Sequence, residues 1–116
     1  MGQRGEALAA EELERQGLVL LARNWTCGIG ELDIVAEEVV RGRRTVVFCE
    51  VKCRSGLGFG DPLEAITHAK VRKLRQLAAE WLAQSQVPHD GVRIDAIGIL
   101  LEPRRPPKLT HVRGIG

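Results

Sequence analysis

Thr45-Val46-Val47-Phe48-Cys49-Glu50-Val51-Lys52-Cys53 is the stretch from which the rest of the chain takes its meaning. Side chains of a strand alternate between two faces. Val46, Phe48, Glu50 and Lys52 fall on one face here, and Val47, Cys49, Val51 and Cys53 on the other. Both faces are apolar as far as Glu50, the mark of a central strand covered on both sides. Beyond it, charge enters a position where burial is expected, and a buried charge needs a partner.

The flanking segments set this strand in a sheet. Residues 31–40 read as a second strand and residues 18–23 as an earlier one, with a glycine-containing turn over 24–30. Residues 5–16, rich in Ala, Leu and Glu, predict a helix, with Gly17 at its C-cap. Residues 41–44 form a turn, and residues 55–60, with three glycines, a loop. Asp61-Pro62-Leu63-Glu64 then starts a helix: Asp61 caps it, Pro62 takes the first helical position, and Glu64 closes a capping box. Leu63, Ile66, Leu74, Leu77, Trp81 and Leu82 follow at helical spacing, and Pro88 and Gly91 close the region. Residues 92–101 make a fourth strand. Pro103, Pro106 and Pro107 form a stiff link to a last strand over 108–113. The order αβββαββ predicts an α/β fold, a mixed central sheet of about five strands flanked by helices.

Composition narrows the rest. A chain of 116 residues, 44% hydrophobic and 28% charged, is expected to be one folded domain, residues 1–116. No run approaches the roughly 18 apolar residues of a membrane span, so no membrane partner is expected. The start, Met-Gly-Gln-Arg-Gly-Glu, has no apolar stretch of a signal peptide, and Glu6 stands where a myristoylation site wants Ser or Thr. Three cysteines read as free thiols in a reducing cytoplasm. The absence of Tyr excludes a Tyr nucleophile, and two Trp with two Phe argue against a stacking platform for single strands.

Register brings the charges together. A two-residue turn at Arg41-Gly42 pairs Val40 with Arg43 and places Asp33 opposite Glu50; a four-residue turn places Asp33 opposite Lys52. Either way Asp33, Glu50 and Lys52 share one patch. Close carboxylates repel unless one is protonated or a cation lies between them. Lys52 is one such cation and would leave a structural ion pair. A divalent metal is the other, and oxygen ligands without His or Cys nearby suit Mg²⁺ or Mn²⁺. Glu6, Ala10 and Leu13 recur on the inward face of the first helix, while Glu11, Glu12 and Glu14 cover its polar side. Glu6 is thus either a dipole-favoured acid at a helix N-terminus or a member of the site.

Asp33 with Glu50-Val51-Lys52 resembles the PD-(D/E)xK nuclease signature. The wider text resembles the YraN-like family, small bacterial proteins similar to archaeal Holliday-junction resolvases. The matching pieces are Gly5-Glu6 with Ala10, Arg23-Asn24, Gly30-Glu31-Leu32-Asp33-Ile34-Val35-Ala36, Val47 through Arg54, and Arg93-Ile94-Asp95 onward. Leu32 departs from the pattern by standing where the signature has Pro. The resemblance implies a restriction-endonuclease-like core and Mg²⁺-dependent cleavage of a phosphodiester. It implies that Asp33 and Glu50 ligate the metal, that Lys52 orients the attacking water, and that Glu6 joins the metal site. Glu31 would be a nearby acid or a ligand to a second metal.

Charge is uneven along the chain: residues 1–50 sum to −3 and residues 51–116 to +5. Arg54, Lys70 and Lys73 are candidates to track phosphates of nucleic acid. Arg72 and Arg75 read as a solvated helix face. Lys70 shares the face of Leu74, Leu77 and Trp81, so it either snorkels or reaches into the site. Asp95 lies inside an apolar strand and needs a partner, Arg93 or the first helix. Cys49 and Cys53 read as core, and His68, His89 and His111 lack ligand spacing. Two functions are expected: a Mg²⁺-dependent endonuclease acting on branched or duplex DNA, plausible as a homodimer, or a non-catalytic nucleic-acid-binding or repair-scaffold protein. The intact Asp33/Glu50/Lys52 set favours the first. With Glu6, Glu31, Asp33 and Glu50 set aside for one site, the remaining charge is +6 rather than +2.

Overall fold

The computed structural model describes residues 2–55 and 62–116. Along the chain run α1 (Gly2–Arg15), β1 (Val19–Cys27), β2 (Gly30–Val40), β3 (Arg43–Ser55), a 3-10 turn (Pro62–Ala65), α2 (His68–Ser85), β4 (Gly91–Leu101) and β5 (Lys108–Val112). The strands form one five-stranded sheet in the order β1-β2-β3-β4-β5. All neighbours are antiparallel except β3 and β4, which the α2 crossover makes parallel. This is the expected mixed sheet, with β3 at its centre and a helix on each face.

The two faces carry separate cores. Ala9, Ala10, Leu13 and Leu18 pack with Ile34, Val47, Cys49, Ile97 and Ile99 on the α1 side. Leu74, Leu77, Ala78 and Trp81 pack with Leu32, Val35, Phe48 and Ile94 on the α2 side. Phe48 and Trp81 meet edge to face, ring centroids 5.8 Å apart. No helix among the described residues is long and apolar enough to cross a membrane.

Local chemistry explains most boundaries. Gly17, at φ +96°, ends α1 with a paired closure: its amide donates to the Glu14 carbonyl, and the Leu18 amide donates to that of Leu13. The β2–β3 hairpin closes through Arg41 and Gly42, both at positive φ, and Val40 pairs with Arg43. The two-residue register is therefore the one that forms.

Two expectations need correction. The turn expected over 24–30 is only Gly28-Ile29, because β1 continues through Trp25, Thr26 and Cys27. Asn24 takes φ +53° inside the strand, a conformation Asn tolerates, and kinks it without ending it. The second helix starts at His68, not near Pro62. Thr67 caps it, its hydroxyl accepting from the Lys70 amide at 3.1 Å. Pro62–Ala65 forms a separate 3-10 turn. Two capping signals lie within a few residues of each other, and the later one opens the helix. Asp61 lies outside the described residues.

Candidate functional site

Asp33 sits where the sheet comes apart. The β1–β2 ladder pairs Arg23 with Ile34 and Trp25 with Leu32, leaving Asn24 facing Asp33. Alternation of faces breaks on both strands here: on either side of the left-handed Asn24, Ala22 and Trp25 both reach the α2-side core, and on β2 so do Leu32 and Val35. The β2–β3 ladder runs from Val40 and Arg43 to Ile34 and Cys49, one step short of Asp33 and Glu50. Beyond that step, the Val51 amide donates to Asp33 Oδ2 at 2.9 Å. A side chain thus replaces a ladder bond, and the space between the strands becomes the site.

Glu50 is 4% exposed. Its Oε2 lies 2.9 Å from Lys70 Nζ and 3.6 Å from Lys52 Nζ. Burial drives the Asp33 carboxyl up to about 7; the Val51 hydrogen bond opposes this, and the Glu50 and Glu6 carboxylates add to it. Lys70 is held above its ordinary value, chiefly by its hydrogen bond to Glu50.

Glu6, Glu31 and Asp33 each bring a carboxylate oxygen into one group, all within 4.8 Å of one another. Gly5 makes the approach of α1 possible. A Cβ on it would lie 3.2 Å from Cys53 Cβ, so the helix rests directly on β3 and delivers Glu6. Of the expected ligands Glu6, Asp33 and Glu50, two belong to this group; Glu31 is its third member, and Glu50 is turned to the lysines.

A cavity of about 370 Å³ opens over these groups, bordered by Glu31, Asp33, Glu50, Lys52, Lys70 and Lys73, with Leu74 and Leu77 of α2 along one wall. Lys73 is exposed at its rim, and Arg54 is exposed on β3 two residues past Lys52. A larger apolar groove of about 500 Å³, between Leu63, Ile66, Val71, Val112 and Ile115, holds none of these carboxylates.

Asp95 is 0% exposed and belongs to a different cluster. Arg93 grips it with two hydrogen bonds, of 2.8 and 3.0 Å, His111 Nε2 lies 2.8 Å away, and the Gly114 amide donates at 3.0 Å. Burial alone would raise its pKa, but Arg93, Gly114 and His111 together hold the carboxyl below its ordinary value. The expected Arg93 partner is present. The link to α1 is indirect, through Gln16 Nε2, 3.1 Å from His111 Nδ1. His111 and Gly114 were missed, because the β4–β5 register that brings them alongside is set by pairing across a proline-rich link. Cys49 packs in the core with its thiol pushed up by burial, and the three cysteines are unbridged.

Fold and site together define a small α/β protein with a carboxylate cluster and two lysines at the opened seam of a mixed sheet. The model of the uncharacterised protein family UPF0102 matches residues 5–99. A UPF0102 protein of Mycolicibacterium smegmatis is 50% identical over 116 residues, covering 100% of this chain and 92% of that one. UPF0102 proteins of Mycobacterium tuberculosis and Mycobacterium avium are each 49% identical, again over all of this chain and 91% and 89% of theirs. The chain belongs to the UPF0102 family, the YraN-like group its motifs resemble.

Proposed function

We propose that this protein is a Mg²⁺- or Mn²⁺-dependent endonuclease that hydrolyses phosphodiester bonds in DNA, with duplex or branched DNA, Holliday junctions included, as its substrate class. The observation that carries this reading is the meeting of Glu6, Glu31 and Asp33 with Glu50 and Lys52 where two adjacent strands part. The likeness of Asp33 and Glu50-Val51-Lys52 to the PD-(D/E)xK signature, and of the sheet and helices to a restriction-endonuclease-like core, supports it.

The donor set fits a hard divalent cation. It offers carboxylate oxygens only, and the repulsion that Glu50 and Glu6 add to the burial-raised Asp33 is relieved by positive charge. Such an ion, when bound, neutralises phosphate charge and lowers the pKa of water. Glu6, Glu31 and Asp33 would hold it, with Glu50 alongside. Lys52 orients the attacking water and faces the charge that develops on the phosphate. Lys73 and Arg54 contact flanking phosphates without reading sequence. A two-fold dimer would present one site to each of two scissile strands. Three unbridged thiols support a cytoplasmic setting.

The test incubates the protein with four-way junctions, flaps and linear duplex in Mg²⁺, Mn²⁺ or EDTA, beside Glu50→Ala and Lys52→Ala. Metal-dependent cutting is expected, reduced about 100-fold or more in both variants. No metal-dependent cutting of any substrate, or equal cutting by Lys52→Ala, overturns the reading. Tight DNA binding without cutting points to the binding-scaffold alternative.

A further inference from the structure

Lys70 stands in the first turn of α2, three residues past the Thr67 cap. A helix N-terminus carries partial positive charge, so an ammonium there is disfavoured. No acidic residue stands in that turn to offset it. The helix gains nothing from a lysine at this position. Glu50 does: Lys70 Nζ is the nearer of its two ammonium partners, at 2.9 Å against 3.6 Å for Lys52.

The two lysines differ in origin and exposure. Lys52 projects from the central strand and its side chain is 29% exposed; Lys70 reaches across from the helix layer and is 41% exposed. One buried carboxylate oxygen therefore meets two ammoniums on equal four-carbon stems, one rising from the sheet and a more exposed one reaching over from the helix layer. The carboxylates divide in the same way. Glu6, Glu31 and Asp33 converge on one point, while Glu50, charge-coupled to Asp33, is turned toward lysine. A dication entering beside Asp33 would attract Glu50 and repel the ammonium it holds.

We propose that Lys70 is a resident cation, balancing Glu50 in the metal-free protein and released when a divalent ion loads, its ammonium then turning across the cleft to a substrate phosphate. This rests on reading the cleft as a metal-dependent phosphodiesterase site. Lys70 is a positioning residue before loading and a phosphate contact after it. Metal binding and phosphate binding then strengthen each other, and linkage makes the effect reciprocal.

The first arm needs no DNA. Mn²⁺ binding by the full chain is measured for the wild type, Lys70→Gln, Lys70→Arg and Arg72→Gln. Removing the resident cation is expected to tighten Mn²⁺ binding about fivefold or more. Lys70→Arg should bind as the wild type does, and Arg72→Gln, which removes an exposed α2 cation that does not border the cleft, should shift binding by less than about twofold. The second arm needs no substitution. The ¹⁵N signal of the Lys70 ammonium, held by Glu50 in the metal-free protein, should shift and exchange faster with water on Mg²⁺ saturation. In the third arm, Ca²⁺ should strengthen binding of a duplex oligonucleotide to the wild type and not to Lys70→Gln. Unchanged or weaker Mn²⁺ binding in Lys70→Gln, or a Lys70 signal indifferent to Mg²⁺, overturns the proposal. Exchange at Lys70 without DNA cleavage on any substrate leaves it standing while the nuclease reading falls. Cleavage with an indifferent Lys70 does the reverse.

Discussion

Asp33 governs how the site responds to pH. Its carboxyl titrates near 7 in the folded chain against about 3.8 in the unfolded one. The native state therefore holds a proton that the unfolded state has lost across that window. The Asp33 contribution to stability is greatest below that window, falls as pH rises toward 7, and levels off above. The melting temperature of metal-free protein is expected to rise as pH is lowered from 8 to 6. Asp33→Asn, which keeps an acceptor for the Val51 amide, should raise the melting temperature at pH 8 and flatten that slope. On the proposed metal-dependent reading, metal affinity should run the other way, falling as pH drops through 7, because loading would displace the proton; calorimetry in buffers of different ionisation enthalpy checks this. At this scale the sequence shows which residues meet. Alternation along β3 and the two-residue turn are enough to bring Asp33, Glu50 and Lys52 into one patch. It does not show which carboxylate faces which partner. That depends on the Asn24 kink and on where the β2–β3 ladder stops, both properties of backbone geometry.

Among the elements, α1 and α2 each deliver one charged side chain, and each delivery has a separable test. Gly5→Ala places a Cβ against Cys53 and displaces α1 by a few tenths of an ångström. It should lower both the melting temperature and Mn²⁺ affinity, whereas Glu6→Gln should lower the affinity alone. Thr67→Ala removes the α2 cap and should cost about 1 kcal/mol in chemical denaturation. The existence and order of elements were legible because apolar periodicity is strong in each one. The start of α2 was not, since Asp61-Pro62-Leu63-Glu64 and Thr67 both offer capping chemistry. The competition is settled by how the 3-10 turn packs on β4, where a Cβ on Gly98 would meet Leu63.

Across the whole molecule, the second charged cluster has a structural task. Asp95 holds its β4 neighbour Arg93, which also reaches Glu38 of β2, and ties β4 to His111 of β5, to the Gly114 amide and, through Gln16, to the end of α1. Asp95→Ala leaves Arg93 short of a partner and should cost about 3–5 kcal/mol in chemical denaturation. Because the Asp95 carboxyl is held below its ordinary value, its contribution is present above about pH 4 and lost as acid protonates it; an acid titration of the wild type followed by circular dichroism reads this. The mixed sheet was legible because a helix between the third and fourth strands requires a parallel crossover. The parting of β2 from β3 is the feature with the widest reach. The strands are stitched together from the hairpin to Ile34 and Cys49. Past that point the backbone ladder between them ends and the Val51 amide reaches Asp33 Oδ2 instead, while β2 goes on pairing with β1 and β3 with β4, which pairs in turn with β5. In shape the sheet is a clothes-peg, with the ladder as its spring and the two strand ends beyond it as its jaws. The gape at the carboxylates thus opens where the ladder stops, at Ile34 and Cys49, and is spanned by the Val51 bond to Asp33.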